Sequence, residues 1–112
     1  MVPSPNFDAR PAPPDMIVLH YTDMADVEAA IAWLSTPRSR VSAHYVVTAE
    51  GGLVQMVNET DRAWHAGVSS WEGAGDINAR AIGIELDSPG HRPGAPHFPA
   101  AQIDALIDLM TA

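Results

Sequence analysis

An α/β fold, a single domain with a central mixed β-sheet and flanking helices, is what this sequence predicts, and three observations carry it. Short β-branched runs at 16–20, 45–48, 53–57 and 81–86 read as strands. Two stretches, 27–34 and 99–112, place their apolar residues at helical intervals instead. The order, one strand, a helix, three strands and a helix, interleaves the two kinds of element. One sheet with helices packed on it satisfies such an order.

Taken in order, residues 1–15 form a lead-in crowded with Pro3, Pro5, Pro11, Pro13 and Pro14. It is expected to lie on the surface without regular structure, ahead of a domain over 16–112. Met16 to His20 is a buried strand by composition. Cap-type residues from Thr22 to Asp26 precede VEAAIAWL, where Val27, Ala30, Ile31 and Leu34 make an apolar stripe. That helix should stop near Ser35, because the residue before Pro37 is pushed away from α geometry. Tyr45–Thr48 and Leu53–Val57 flank Ala49-Glu50-Gly51-Gly52, a hairpin signal. Residues 66–79 are polar and Gly-rich and read as a loop. Along Ala81–Leu86, alternation sends Ile82, Ile84 and Leu86 to one face and Ala81, Gly83 and Glu85 to the other. A second Pro/Gly loop covers 87–98. The last helix follows, with Pro99 near its first turn and a stripe of Ile103, Leu106, Ile107 and Met110. The sequence ends inside that stripe without a C-cap, and the expectation is a continuation that is missing.

Composition removes several functions. A chain of 112 residues fits one domain, with 46% hydrophobic and 18% charged residues. At that size folding hides roughly 60–70% of the chain's surface, enough for one modest core. The net charge is −8, the six cationic residues are all arginine, and no basic stripe is visible. Nucleic acid is therefore not an expected partner, and neither is an anionic membrane surface. No apolar run approaches the ~20 residues of a membrane span. The first residues have no leader-like pattern, which makes the cytoplasm the default location. With no cysteine, disulfides and thiol catalysis are excluded. A zinc site here would have to use His and carboxylate ligands, the pattern of catalytic rather than structural zinc.

The residues that could carry chemistry are few. His20 stands at the C-terminal end of the first strand, where α/β sheets gather their ligands; alone it reads more readily as a hydrogen-bonded structural histidine than as a ligand or catalyst. Glu85 interrupts an apolar strand. Burial there should raise its pKa toward general-base range, unless the strand lies at an edge and the carboxylate meets water. The small residues Gly83 and Ala81 beside it leave space such as a substrate groove needs. His44 and Tyr45 open the second strand, and a paired core histidine suits His44 best. Trp64 and His65 lie in a loop, a place that favours binding over packing. Asn78 suits a turn or a substrate contact, while His91 and His97 fall in Pro/Gly loops and should be solvated. No nucleophile elbow, phosphate-cradling Gly loop or helix with two His a turn apart is present.

Read together, SPNFDAR, IVLHYT, VSAHYVV, RAWHAGVSSWEG, AIGIELDSPGH and FPAAQIDAL, in this order from Ser4 onward, resemble the zinc-dependent N-acetylmuramoyl-L-alanine amidases of the AmpD-like family. These share a fold with peptidoglycan recognition proteins. The resemblance implies a fold of that kind and hydrolysis of the bond between the lactyl group of N-acetylmuramic acid and L-alanine. It implies zinc as cofactor, with His20 as a metal ligand and Glu85 as general base. It implies peptidoglycan fragments or muropeptides as partners, contacted by Trp64, His65 and Asn78 at the rim of the groove. The family's second His ligand and its Asp ligand, in Gly-His-x-Asp and Lys-x-Asp-Pro-Gly patterns, have no counterpart here. The expectation is thus an amidase domain lacking its last strand, binding zinc poorly as it stands. The rival expectation is a peptidoglycan-binding module without catalysis.

Overall fold

The computed structural model describes residues 2–10, 13–22, 27–65, 70–71, 74–75, 78, 80–87 and 100–111. Apart from Asp87, the expected loop over 87–98, with His91 and His97, lies outside these residues, as does most of the expected cap at 22–26. Strands β1 (Phe7–Ala9) and β2 (Met16–Tyr21) lead into helix α1 (Val27–Leu34). Strands β3 (Tyr45–Val47), β4 (Leu53–Gln55) and β5 (Asp61–Ala63) follow. Next come the two-residue strands β6 (Ser70–Trp71) and β7 (Ala74–Gly75), then β8 (Ala81–Leu86) and helix α2 (Ala100–Thr111).

The central sheet runs β2-β8-β3-β4. β8 is parallel to both neighbours, whereas β3 and β4 form an antiparallel hairpin. The sheet is therefore mixed, as expected. The hairpin turn depends on Gly51, whose φ of +89° is left-handed and whose added Cβ would lie 2.9 Å from the Ala101 carbonyl oxygen. Alternation along the strands supplies two cores. Tyr45, Val47, Ile82, Ile84 and Leu86 pack with Leu106 of α2 on one face, and Val46 packs with Leu34 and Met56 on the other, against α1. The helices thus cover opposite faces of the sheet.

Three expectations need correction. The lead-in is not without regular structure: β1 pairs antiparallel with β5, a strand the sequence had not marked. Ser4 and Asn6 are buried, because Ser4 N–H donates to the Met56 carbonyl (2.9 Å) and Asn6 Nδ2 donates to the carbonyls of Thr36 (2.8 Å) and Val41 (2.9 Å). Two polar side chains anchor a Pro-rich strap that has little apolar content. The loop expected over 66–79 contains the β6–β7 pairing. On α2 the buried line runs through Gln102 and Leu106, flanked by Ala105 and Leu109, while Ile107 and Met110 are exposed. The helix is rotated from its expected stripe because Gln102 turns inward, donating to the carbonyls of Val47 (2.9 Å) and Asp87 (3.0 Å) at the ends of β3 and β8.

Candidate active site

Parallel pairing of β2 with β8 sets His20 directly opposite Glu85. Residues paired across neighbouring strands project to the same face. Both side chains therefore leave the sheet on the α1 side, and Gly83, two residues before Glu85 on β8, shares that face. A cavity of about 170 Å³ opens there, bounded by Trp33 and Leu34 of α1 and by Thr22, Ser42, His65 and Glu85. Burial pushes the Glu85 carboxyl up to about 7, and its Oε2 is buried with no hydrogen-bond partner among the described residues. A carboxyl that lines a cavity and titrates near neutrality can accept and return a proton at physiological pH.

His65 reaches this face from the segment before β6. Its backbone N–H donates to Asn78 Oδ1 (3.1 Å), and the preceding Trp64 N–H donates to Ser42 Oγ (2.9 Å). Ser42 N–H donates back to the Trp64 carbonyl (2.8 Å), so the segment is tied down at three points. The imidazole then lies on Gly83, where an added Cβ would come within 2.4 Å of His65 Cγ. This corrects the sequence reading of an open groove above Gly83. The space left by the missing side chain is filled by an imidazole, and the cavity begins beside it, at Glu85. His65 Nδ1 is 3.2 Å from His20 Nε2, with the rings edge to face. Burial lowers the pKa of both, His65 to about 4, so both are neutral at pH 7.

His44 is fully buried and holds the site from below. Its Nδ1 accepts the Gly83 N–H (3.0 Å), so its one proton is on Nε2, facing the Asp61 carbonyl at 2.9 Å. The Arg10 guanidinium lies 2.9 Å from the same Nε2 but donates to the carbonyls of Asp61 (2.8 Å) and Ala81 (3.2 Å). His44 is a structural clamp, in line with its sequence reading. Trp64 is half-buried and Asn78 is buried. Asn78 spends its carbonyl oxygen on the His65 backbone, which is the contact the fold assigns it. Ser42 and Arg10 gave no signal in the sequence; their roles arise from segments brought together only by folding.

As metal donors, His20 and His65 are neutral imidazoles, the form zinc requires. Among the described residues no three His, Asp or Glu side chains cluster to hold a metal ion. The donors present fit part of a zinc site, in which His20 could serve as one ligand.

Comparison with known proteins places this arrangement. The N-acetylmuramoyl-L-alanine amidase family profile matches residues 10–112. The 1,6-anhydro-N-acetylmuramyl-L-alanine amidase AmpD of Haemophilus influenzae is 35% identical over 96% of this chain and 67% of its own length. The N-acetylmuramoyl-L-alanine amidase AmiD of Escherichia coli is 39% identical over 84% of this chain, which covers only 37% of that relative. A crystal structure of AmpD superposes with a TM-score of 0.83 at 31% identity, covering 96% of this chain and 69% of that one. Escherichia coli AmiD in complex with anhydro-N-acetylmuramic acid-L-Ala-D-γ-Glu-L-Lys superposes at 0.74 with 36% identity, covering 96% of this chain and 43% of that one. The chain belongs to the N-acetylmuramoyl-L-alanine amidase family.

Proposed function

We propose that this protein is a zinc-dependent amidase that hydrolyses the bond between the lactyl group of N-acetylmuramic acid and L-alanine in muropeptides. The observation that carries the reading is Glu85: a half-buried carboxyl, raised to about 7, with an oxygen unpartnered among the described residues, on the same sheet face as His20 and lining a cavity beside α1. His20 would hold the metal as one of its ligands. When bound, the metal supplies Lewis-acid polarisation of the scissile carbonyl and of a water. Glu85 takes the proton of the attacking water and passes it to the departing L-alanine amine, and a pKa near 7 suits both halves of that transfer. The names of the relatives support a muropeptide substrate, and AmiD was solved with an anhydro-muropeptide. A chain of net charge −8 gives an acidic peptide stem no long-range attraction. Binding must come from local contacts near the cavity, where Trp64 is the proposed aromatic contact.

The test is to incubate the zinc-loaded protein with an anhydro-muropeptide and follow free peptide by chromatography. Release of peptide that depends on Glu85 is the expected result. Binding of the muropeptide with no release, equal in wild type and Glu85→Gln, would instead identify a binding module without catalysis.

A further inference from the structure

We propose that Trp33 is a specificity-determining residue: its indole is the apolar wall of the cavity at Glu85 and takes the C–H face of the substrate's sugar ring. This rests on the reading of the site as one for muropeptides, and it fixes which end of the substrate lies toward α1.

The cavity is lined unevenly. Glu85 and His65 give it polar groups, whereas Ala30, Trp33 and Leu34 of α1 give it apolar ones. Its volume of about 170 Å³ suits a guest of ring size, since an apolar cavity of about 150 Å³ takes a benzene. Along α1 the residues packed on the sheet are Val27, Ile31 and Leu34, which meet Val46 and Met56. Trp33 borders that stripe, stands outside both apolar cores of the described residues and keeps 46% of its surface exposed. A lone exposed aromatic needs no explanation. One that lines the same cavity as the reacting carboxyl is placed where a ligand would cover it.

This wall is held in place before any ligand arrives. Ser4 Oγ donates to the Leu34 carbonyl, and Asn6 Nδ2 donates to that of Thr36 (2.8 Å). The Ser35 N–H closes the last turn on the Ile31 carbonyl (3.0 Å). The strap of β1 thus fastens the end of α1 that carries Trp33, and an aromatic on a fixed backbone loses little freedom on binding. The two ends of a muropeptide offer this wall different surfaces. On the amine side of the scissile bond stands only an alanine methyl, and the acidic stem beyond it is costly to desolvate against an apolar surface. On the acyl side the lactyl group leads to a pyranose ring, whose C–H bonds form a broad, weakly polar face. Among the described residues that line the cavity, Trp33 has the one flat apolar surface of matching size.

The deciding measurement is made on the whole chain carrying Glu85→Gln, so that the ligand stays uncut. In its complex with an anhydro-muropeptide, nuclear Overhauser effects should join the Trp33 indole protons to protons of the sugar ring. Contacts to the peptide stem alone, or none, overturn the proposal. Affinity, followed by NMR titration, gives the second readout. Adding Trp33→Ala should weaken the muropeptide by about tenfold, the scale of a well-covered aromatic contact. The affinity for a lactyl peptide without the sugar should not change. Trp33→Phe, which keeps a smaller ring, should recover part of the loss. Unchanged muropeptide affinity in Trp33→Ala refutes the assignment. An equal loss for the sugar-free peptide refutes it too, because Trp33 would then only shape the cavity. The amidase reading fails separately, by absence of peptide release from the zinc-loaded wild type, since binding through Trp33 is measured without turnover.

Discussion

On the α2 side of the sheet, Tyr45, Val47, Ile82, Ile84 and Leu86 meet Leu106, and each comes from an apolar run. On the α1 side, β2 and β8 present His20, Gly83 and Glu85, and the space above Gly83 is filled from elsewhere by His65 with His44 beneath. The first face needs only apolar side chains of suitable volume, and dispersion with burial does the rest. The second needs particular atoms in particular places, because every nitrogen and oxygen taken from water must find a partner or be left costly. Glu85 Oε2 is such a costly atom. The contrast teaches that one face of the sheet is apolar packing alone, whereas the other sets the reactive groups beside a second apolar core, with β8 serving both by alternation.

The largest expected effect is on the reactive face. Glu85→Gln keeps shape and removes the titrating oxygen, so peptide release should fall by about 10²–10⁴ while bound zinc is unchanged. Wild-type turnover in that variant would sink the general-base role. On the packed face, Leu106→Ala empties volume among Tyr45, Val47, Ile82 and Ile84 and should cost about 2–5 kcal/mol in chemical denaturation. A loss well under 1 kcal/mol would mean that α2 does not hold this face.

A third measurement sets the two faces against each other through pH. Glu85 titrates at about 7 in the folded protein against an ordinary 4.5, so folding favours its protonated form. The associated stability is present below about pH 4.5 and is lost as pH rises through 7, by roughly 3 kcal/mol in all. His65, lowered to about 4, works in the opposite sense. The quantity to measure is therefore the difference between wild-type and Glu85→Gln stabilities in metal-free protein across that range. Parallel curves would show that Glu85 is solvated in the folded state.

Smaller effects sharpen the boundary between the faces. Gly83→Ala forces the His65 ring off β8, since the new Cβ would sit 2.4 Å from Cγ. It should cost about 1–3 kcal/mol as an overpacked site, with a loss of activity that stability alone does not account for. Retention of both would mean His65 can settle elsewhere without consequence. Ile107→Ala, one residue from Leu106 but 49% exposed, should change stability by less than about 0.5 kcal/mol. A larger loss would show that a partner covers this part of α2 in solution.

The packed face was readable in advance because its cause is periodic. A period of two along Ala81–Leu86 and of 3.6 along Val27–Leu34 placed the strand and the helix where they are found. The same reasoning failed on α2 at Ile107 and Met110: Gln102, a polar residue, took the buried position by bonding two carbonyls at strand ends. Hydropathy assigns glutamine to the surface and cannot foresee such a bond. β1 and β5 escaped for a related reason. They are three residues each, too short for alternation to register, and their pairing joins segments far apart in sequence.

His20 and Glu85 stood out in the sequence because each breaks an apolar strand, and the resemblance of the surrounding motifs to the amidase family gave them roles. Strand identity and side-chain alternation, which are local, fix the fact that Glu85 leaves β8 on the face away from Ile84. That His20 lies opposite it was decided only by register in a parallel pair, which no local pattern encodes. Only the tertiary structure filled the space above Gly83. A glycine in a strand signals a close approach without naming the visitor. The visitor is His65, held there by its own backbone bond to Asn78 and by that of Trp64 to Ser42.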